Sequence, residues 1–177
     1  MNRSIISWGL FIVLSIIWGS SFILMKWGMF DANQQPVLSP YHVAALRMLS
    51  SGIVMLPFLY YSLKGVPGKT ILYILLSGWM GSFFPAFLFC IAETKIDGAL
   101  TGSLNSLTPL FVIITGALFF GTKTSSNKLF GVMIGIAGSA LLLYSNKNVS
   151  GGPLSYTGFV VLATLLYGIN VNMVHKK

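Results

Sequence analysis

Apolar residues run along the chain in six long blocks, 4–25, 41–63, 70–92, 99–120, 128–145 and 154–174, separated by short polar stretches. A helix needs about 20 mostly apolar residues to cross about 30 Å of hydrocarbon at about 1.5 Å per residue. Every block reaches or approaches that length, so the pattern predicts an all-α polytopic membrane protein of six transmembrane helices. The fifth block is the shortest, and its strictly apolar part, Leu129 to Tyr144, needs flanking polar residues or local thinning to span. Barrel strands would alternate every second residue in runs of about ten. Unbroken runs such as Leu10-Phe11-Ile12-Val13-Leu14 read as helix instead. The longest interval between blocks is 26–40, too short to hold a soluble domain. Arg3 before the first block is what a signal sequence would show, yet the apolar run is long for one. No small-x-small cleavage site follows before Lys26, so a retained helix is predicted.

Composition agrees with the pattern and removes other classes. Charged residues are 8% of the chain and mean hydropathy is +0.82, where a soluble chain carries about 25% charge. A cytosolic enzyme domain and a disordered tail are excluded, and a single cysteine, Cys90, excludes a disulfide scaffold. In a soluble chain a net charge of +8 and a pI near 9.8 would suggest nucleic acid. Here the bases sort by side. Arg3, Lys64, Lys69, Lys123, Lys128, Lys176 and Lys177 fall at one membrane face with no acid among them. The other face has Lys95 and Lys147, Lys26 at a helix end, and all three acids, Asp31, Glu93 and Asp97. The positive-inside rule then places the amino terminus in the cytoplasm. Trp8, Trp27, Tyr41, Tyr60, Tyr61, Tyr144 and Tyr156 lie near span ends, as interfacial belts require. The basic pI is a topology signal, and no nucleic-acid partner is expected.

Sliding the sixth span over the first by 149 positions sets Gly158 on Gly9, Thr164 on Ser15, Tyr167 on Trp18, Gly168 on Gly19 and Asn170 on Ser21. Five spans separate the two copies, an odd number, so the second enters the membrane from the opposite face. That is the inverted-topology repeat with which many secondary transporters place a site near the midplane and alternate access to it.

Several stretches carry a family resemblance. They are Trp18-Gly19-Ser20-Ser21-Phe22 with Lys26, Ala45-Leu46-Arg47, the run from Gly98 through Ser103-Leu104-Asn105-Ser106-Leu107-Thr108-Pro109-Leu110 to Gly121, and the glycine-rich fifth span. In that order and spacing the chain resembles the EamA-like branch of the drug/metabolite transporter superfamily along essentially its whole length. The resemblance implies ten helices in two five-helix halves and a carrier that exports small metabolites or drugs across the inner membrane. Residues 1–147 would then form the first five-helix repeat, and 148–177 would begin a second that is cut after its first helix. A partial cavity is expected from spans one, two, three, four and six.

Charges inside a membrane are functional candidates by default. Arg47 lies about six residues into the second span. It offers either a partner for a substrate carboxylate or for a gating acid such as Glu93 or Asp97, or a long stem that snorkels to the interface. Lys26, at the rim of the first span, reads as a snorkelling anchor. The spans otherwise contain no acid, so no proton-binding carboxylate is expected and proton coupling lacks support.

In the fourth span Gly98, Gly102 and Ser106 form a small face for close helix approach. Thr101, Asn105 and Thr108 form a polar face beside it, directed either at the substrate path or at neighbouring helices, and Pro109 predicts a kink that frees a carbonyl. Trp18 and Ser21 share a face, as do Tyr167 and Asn170, so each pair sets a ring beside a polar group that orients a substrate, or simply packs. In the third span Trp79, Phe83 and Phe87 make an aromatic stripe toward the pocket or the lipid, beside Gly78, Ser82 and Ala86. Gly131, Gly135 and Gly138 read as close helix packing, and Pro57 and Pro85 as kinks.

His42 and His175 sit at span ends, and with one cysteine no metal-ligand cluster forms. No nucleophile elbow, phosphate loop or paired intramembrane carboxylate is present, so neither enzymatic chemistry nor a cofactor is expected. Asn148-Val149-Ser150 matches a glycosylation acceptor, a triplet common by chance. The expectation is a secondary carrier exporting small metabolites, amino acids or drugs by alternating access. The rival is a non-transporting membrane subunit or assembly protein that needs a partner chain, and an intramembrane enzyme is a distant third. The expected partners are a small-molecule substrate, the lipid bilayer, and a second copy or a missing C-terminal half.

Overall fold

The computed structural model describes residues 3–122, 125–145 and 154–175. Lys123, Lys147, Lys176, Lys177 and the Asn148-Val149-Ser150 triplet lie outside the described residues, as do the side chains of Arg3 and Tyr144. Among the described residues the chain is helical apart from its turns and one isolated bridge between Phe30 and Pro36. The helices are α1 (Arg3–Met29), α2 (Pro40–Ser62), α3 (Gly68–Gly78), a π-helical turn (Trp79–Phe83), α4 (Phe84–Glu93), α5 (Gly98–Asn105), α6 (Thr108–Phe119), α7 (Ser126–Ser145) and α8 (Leu154–His175). α3, the π turn and α4 form one continuous segment, and α5 with α6 another, so six helical segments stand where the apolar pattern places its six blocks.

Five of them are long and apolar enough to cross a membrane: Ile5–Met29, Pro40–Ser62, Gly68–Glu93, Gly98–Phe119 and Leu154–His175. α7 is a 20-residue helix around the expected fifth block. The chain is a polytopic all-α membrane protein.

The end of the bundle that carries Asp31, Glu93 and Asp97 is built tightly. In the turn after α1, Asp31 Oδ1 accepts from the backbone N–H of Asn33 (2.9 Å) and of Gln35 (2.8 Å). α2 then starts on a Ser39 cap, whose hydroxyl accepts from His42 N (3.3 Å), with Pro40 in the first turn. Asp97 caps α5 by accepting from Ala99 N (3.4 Å). Below these turns lies the hydrophobic core: Met25, Met29, Val43, Ala44, Phe89, Cys90, Ala92, Ile96, Leu100, Val160 and Ala163. α1 and α2 join the bundle through this end only. Their remaining lengths, residues 5–19 and 49–62, are exposed apolar surface of the kind lipid covers.

α8 runs through the middle of the packing and touches α3, the π turn, α4, α5 and α6. Its buried residues Val160, Ala163, Thr164, Gly168 and Asn172 repeat at helical spacing. At Gly168 the two backbones nearly meet, since a Cβ there would stand 2.7 Å from the carbonyl carbon of Phe111. One turn on, Asn172 Nδ2 shares its two protons among the carbonyls of Val112 (2.7 Å) and Gly168 (3.0 Å) and Thr115 Oγ1 (3.0 Å).

Several local expectations change. α2 continues through Pro57 as one helix. Pro85 is accommodated by the π turn, and the fourth span breaks at Ser106-Leu107, ahead of Pro109. Gly131, Gly135 and Gly138 were expected to pack closely. α7 does contact α5 and α6, but a Cβ at any of the three glycines would meet nothing within 4 Å. Gly168 and Gly19, paired by the repeat, differ likewise, for Gly19 faces open space.

Gly168→Ala should lower the midpoint of thermal aggregation in detergent, because overpacking a backbone contact costs about 1–3 kcal/mol. Gly131→Ala in the same assay should leave it unchanged.

Candidate functional site

Two spans lose their regular backbone midway, and α8 packs beside both. In the third, Pro85 has no N–H to give the Gly81 carbonyl, and the helix widens over Trp79–Phe83, where Phe84 N–H bonds to the Trp79 carbonyl five residues back. The extra residue per turn inserts Phe84 into the predicted aromatic stripe, where it meets Phe83 edge-on (5.6 Å between ring centroids). Trp79 meets Phe84 edge-on (6.2 Å between ring centroids), while Phe83 turns to Phe87 (5.0 Å). Trp79 is exposed. On the inner side of the widened turn Gly81 lies so close to α8 that a Cβ would fall on the Asn170 amide, and Ser77 Oγ donates to Asn170 Oδ1 at 2.7 Å.

In the fourth span Pro109 likewise denies an N–H to the Asn105 carbonyl. Thr108 Oγ1 donates to that carbonyl instead (2.8 Å) and lies 3.2 Å from Asn105 Oδ1, while Ser106 N–H and Leu107 N–H bond back three residues. The Asn105 carbonyl thus finds its donor within the protein, as non-helical backbone inside a membrane requires. The break brings Asn105 and Thr108 together but separates them from Thr101. That residue is fully buried, with its hydroxyl spent on the Asp97 carbonyl (3.0 Å). Gly98 and Gly102 face Phe22 of α1 at ordinary contact distance, 3.6–3.7 Å from a built Cβ.

Arg47 stands about 10 Å along α2 from Pro40, at about 1.5 Å per residue. Its guanidinium donates to Ser21 Oγ (3.1 Å) and reaches Met25 Sδ, whose sulfur is also 3.6 Å from Cys90 Sγ. Tyr167 of α8 stacks on Phe89 (6.0 Å), and Phe89 meets Phe22 of α1 edge-on (5.7 Å). Arg47 is near enough to act electrostatically on Tyr167, Cys90 and Glu93. Of the expected site residues, Ser21, Arg47 and Tyr167 therefore gather where α1, α2, α4 and α8 meet. Asn170 lies one turn further along α8. Trp18, a turn before Phe22, remains 68% exposed.

Glu93 overturns one expectation. The apolar block ends at residue 92, which placed this acid outside the span, but α4 runs through it. The side chain is completely buried, and neither carboxyl oxygen has a hydrogen-bond partner. Helical phase explains the burial, because Glu93 follows Phe89 by four residues and Ala86 by seven, and both are buried. Lys26, expected to snorkel, turns inward beside it. Its ammonium donates to the carbonyls of Glu93 (3.1 Å) and Ile96 (3.2 Å) and lies 5.5 Å from the Phe30 ring. Arg47 pairs with neither acid proposed for it, since Asp97 is committed to its cap.

The spacing also missed Ser77 and Asn172. Ser77 finds Asn170 across 93 residues, a pairing no local pattern announces. Among the described residues no group of three His, Cys, Asp or Glu is placed to hold a metal.

The model of the EamA-like transporter family matches residues 6–144. Similar proteins include the uncharacterized inner membrane transporter YedA of Escherichia coli K12, 30% identical over 149 residues that cover 82% of this chain and 45% of YedA. The WAT1-related protein At3g02690, chloroplastic, of Arabidopsis thaliana is 24% identical over 165 residues, covering 86% and 36%. The uncharacterized transporter YdfC of Bacillus subtilis is 26% identical over 151 residues, covering 85% and 46%. The chain spans about half the length, or less, of the curated relatives it matches. No solved structure matches it.

Ser77→Ala and Asn170→Ala should each lower thermal stability by about 0.6 kcal/mol, with about 1.7 as a ceiling, as interhelical hydrogen bonds in membranes do. The double variant should fall no further than the worse single one. Gly81→Ala, which displaces the Asn170 amide without touching either partner, should match Asn170→Ala.

Proposed function

The chain belongs to the EamA-like transporter family, and from that membership we propose that it is a secondary transporter exporting small metabolites, amino acids or drugs across the cytoplasmic membrane by alternating access. The observation that carries this reading is Arg47. Inside the helix bundle its guanidinium touches only neutral groups, Ser21 and Met25 by direct contact, and forms no ion pair with a described residue. A guanidinium has five N–H donors in a planar fork that suits a carboxylate. The substrate class that fits is a small molecule with a carboxylate for Arg47 and an apolar or aromatic body for Tyr167 and Phe89. Asn105, Thr108 and Asn170 supply uncharged polar contacts along the same path, beside the two helix interruptions.

In this reading the packed, acid-bearing end is the closed outer gate, and the exposed lengths of α1 and α2 border the cytoplasmic opening. Lys64, Lys69 and Lys128 then lie in the cytoplasm with the amino terminus. The rest of the cavity wall comes from further helices, those of a second half or of a second copy of the chain.

Efflux of a panel of labelled amino acids and aromatic acids from cells making the full-length protein tests the assignment. Arg47→Ala should reduce efflux tenfold or more at equal membrane abundance, and Asn105→Ala and Tyr167→Ala several-fold. Unchanged efflux for all three would remove the cavity and favour a non-transporting subunit. Alkaline phosphatase fused after Lys64 should stay inactive, and fused after Lys95 should be active. The reverse pattern would invert the topology.

A further inference from the structure

Glu93 is the one acid enclosed by the bundle, and its surroundings are unusual for an ionised carboxylate. Both oxygens are buried without a hydrogen-bond partner. Two cations are within electrostatic reach, and both are spent elsewhere: Lys26 on two backbone carbonyls, Arg47 on a hydroxyl and a thioether. A carboxylate offers these cations a full opposite charge where a carbonyl, hydroxyl or thioether offers only a dipole, so an ionised Glu93 would hold at least one of these donors. An isolated buried carboxylate is also far costlier than a buried neutral carboxyl. The packing therefore suits the neutral acid.

We propose that Glu93 is a proton-binding site of the transport cycle, protonated while the acid-bearing end is closed. On opening, it releases its proton to the entering water and takes the Lys26 ammonium from the Ile96 carbonyl into an ion pair between α1 and α4. The ligand is a proton. The step breaks the carboxyl O–H bond, leaves the electron pair on the carboxylate and gives the proton to water, with no other reactant.

The titratable and charged groups around the site are consistent with one switch. Lys26 comes from α1, Arg47 from α2, Cys90 from the preceding turn of α4, and Asp97 from the cap of α5. Tyr156 and Tyr167 of α8 pack on the same core, and Lys95 in the connecting turn is exposed. Asp97 is exposed and accepts from Ala99 N–H, and Arg47 is held by Ser21, which leaves Lys26, bound only to backbone carbonyls, as the cation to answer the carboxylate. Gly98 keeps the space beside the carboxyl open, for a Cβ there would stand 3.9 Å from Glu93 Oε1.

The proposal rests on the transport reading by naming its coupling ion, but one test needs no substrate. Subtracting the infrared spectrum of Glu93→Gln from that of the wild type isolates the C=O band of this one carboxyl from those of every other acid in the full-length protein. In the full-length protein reconstituted in liposomes, a protonated-carboxyl band should persist at neutral pH and disappear in Glu93→Gln. Absence of the band at neutral pH, or its survival in Glu93→Gln, would overturn the proposal. Should Glu93→Gln fail to fold, Glu93→Asp keeps a carboxyl one methylene shorter and must shift the band or the pH at which it is lost. An unshifted band counts against Glu93.

With a transported amino acid from the panel as probe, an imposed pH gradient should change wild-type flux several-fold and leave Glu93→Gln flux unaffected. An equal response in both proteins also overturns the proton site. Loss of all transport in the wild type would sink the transport reading while leaving the infrared result to judge Glu93.

Discussion

At Gly168 the backbone of α8 rests on that of α6 with no room for a methyl group, and much of the bundle is arranged around that approach. Helix association in lipid gains little from apolar burial, because the alternative environment is equally apolar, so close packing and interhelical hydrogen bonds must hold the helices. Gly168 provides the closeness. Asn172 exploits it one turn on, where its amide can reach the Val112 carbonyl and Thr115 only because the helices are that near. With α8 fixed against α6, Tyr167 and Asn170 are aimed at the neighbouring third span, at Phe89 and Ser77.

The same absence of water governs the two interrupted spans. A proline in a membrane helix removes one donor and leaves a carbonyl that must be satisfied within the protein. Around Pro85 the ladder moves to longer bonds and the helix widens, which makes the groove that Asn170 fills. Around Pro109 the helix breaks, and the Thr108 hydroxyl replaces the missing N–H at the Asn105 carbonyl. Each adjustment alters part of the pairing that uniform 3.6-residue spacing would give and keeps the rest. Trp79 and Phe83 part company, and Asn105 and Thr108 become hydrogen-bonded to each other.

That contrast explains how much could be read from the sequence. Six helical segments, their approximate ends and the segregation of bases from acids follow from averages over some 20 residues, which single irregularities barely disturb. Arg47 and Ser21 stand out in the sequence as polar groups at a depth where such groups are costly, and Tyr167 because the repeat sets it on Trp18. The contacts of Ser77 with Asn170, and the exposure of Trp18, depend on how helices distant in sequence are rotated, which local periodicity does not contain. Glu93 is the instructive case. A block-length criterion ended the third span one residue early, whereas the helical phase shared with Ala86 and Phe89 already put the carboxyl on the buried face.

Lys26 and Arg47 illustrate why two cations at one end of a bundle need not duplicate each other. Arginine's planar fork is anchored by Ser21 and Met25 and not by Glu93, a geometry that in the proposed reading suits a substrate carboxylate. The lysine ammonium is a compact charge on a flexible stem, seated on the carbonyl of the very residue whose side chain lacks a partner. It needs only a small displacement to change acceptor from a carbonyl to the carboxylate, and its stem enters from α1 while the acid belongs to α4. A change of charge on Glu93 therefore acts across the α1 and α4 contact directly. At Arg47 the effect would first have to break the bond to Ser21. In the proposed reading the two cations thus divide the site, with a fixed fork for an anionic substrate and a movable point charge for the proton site.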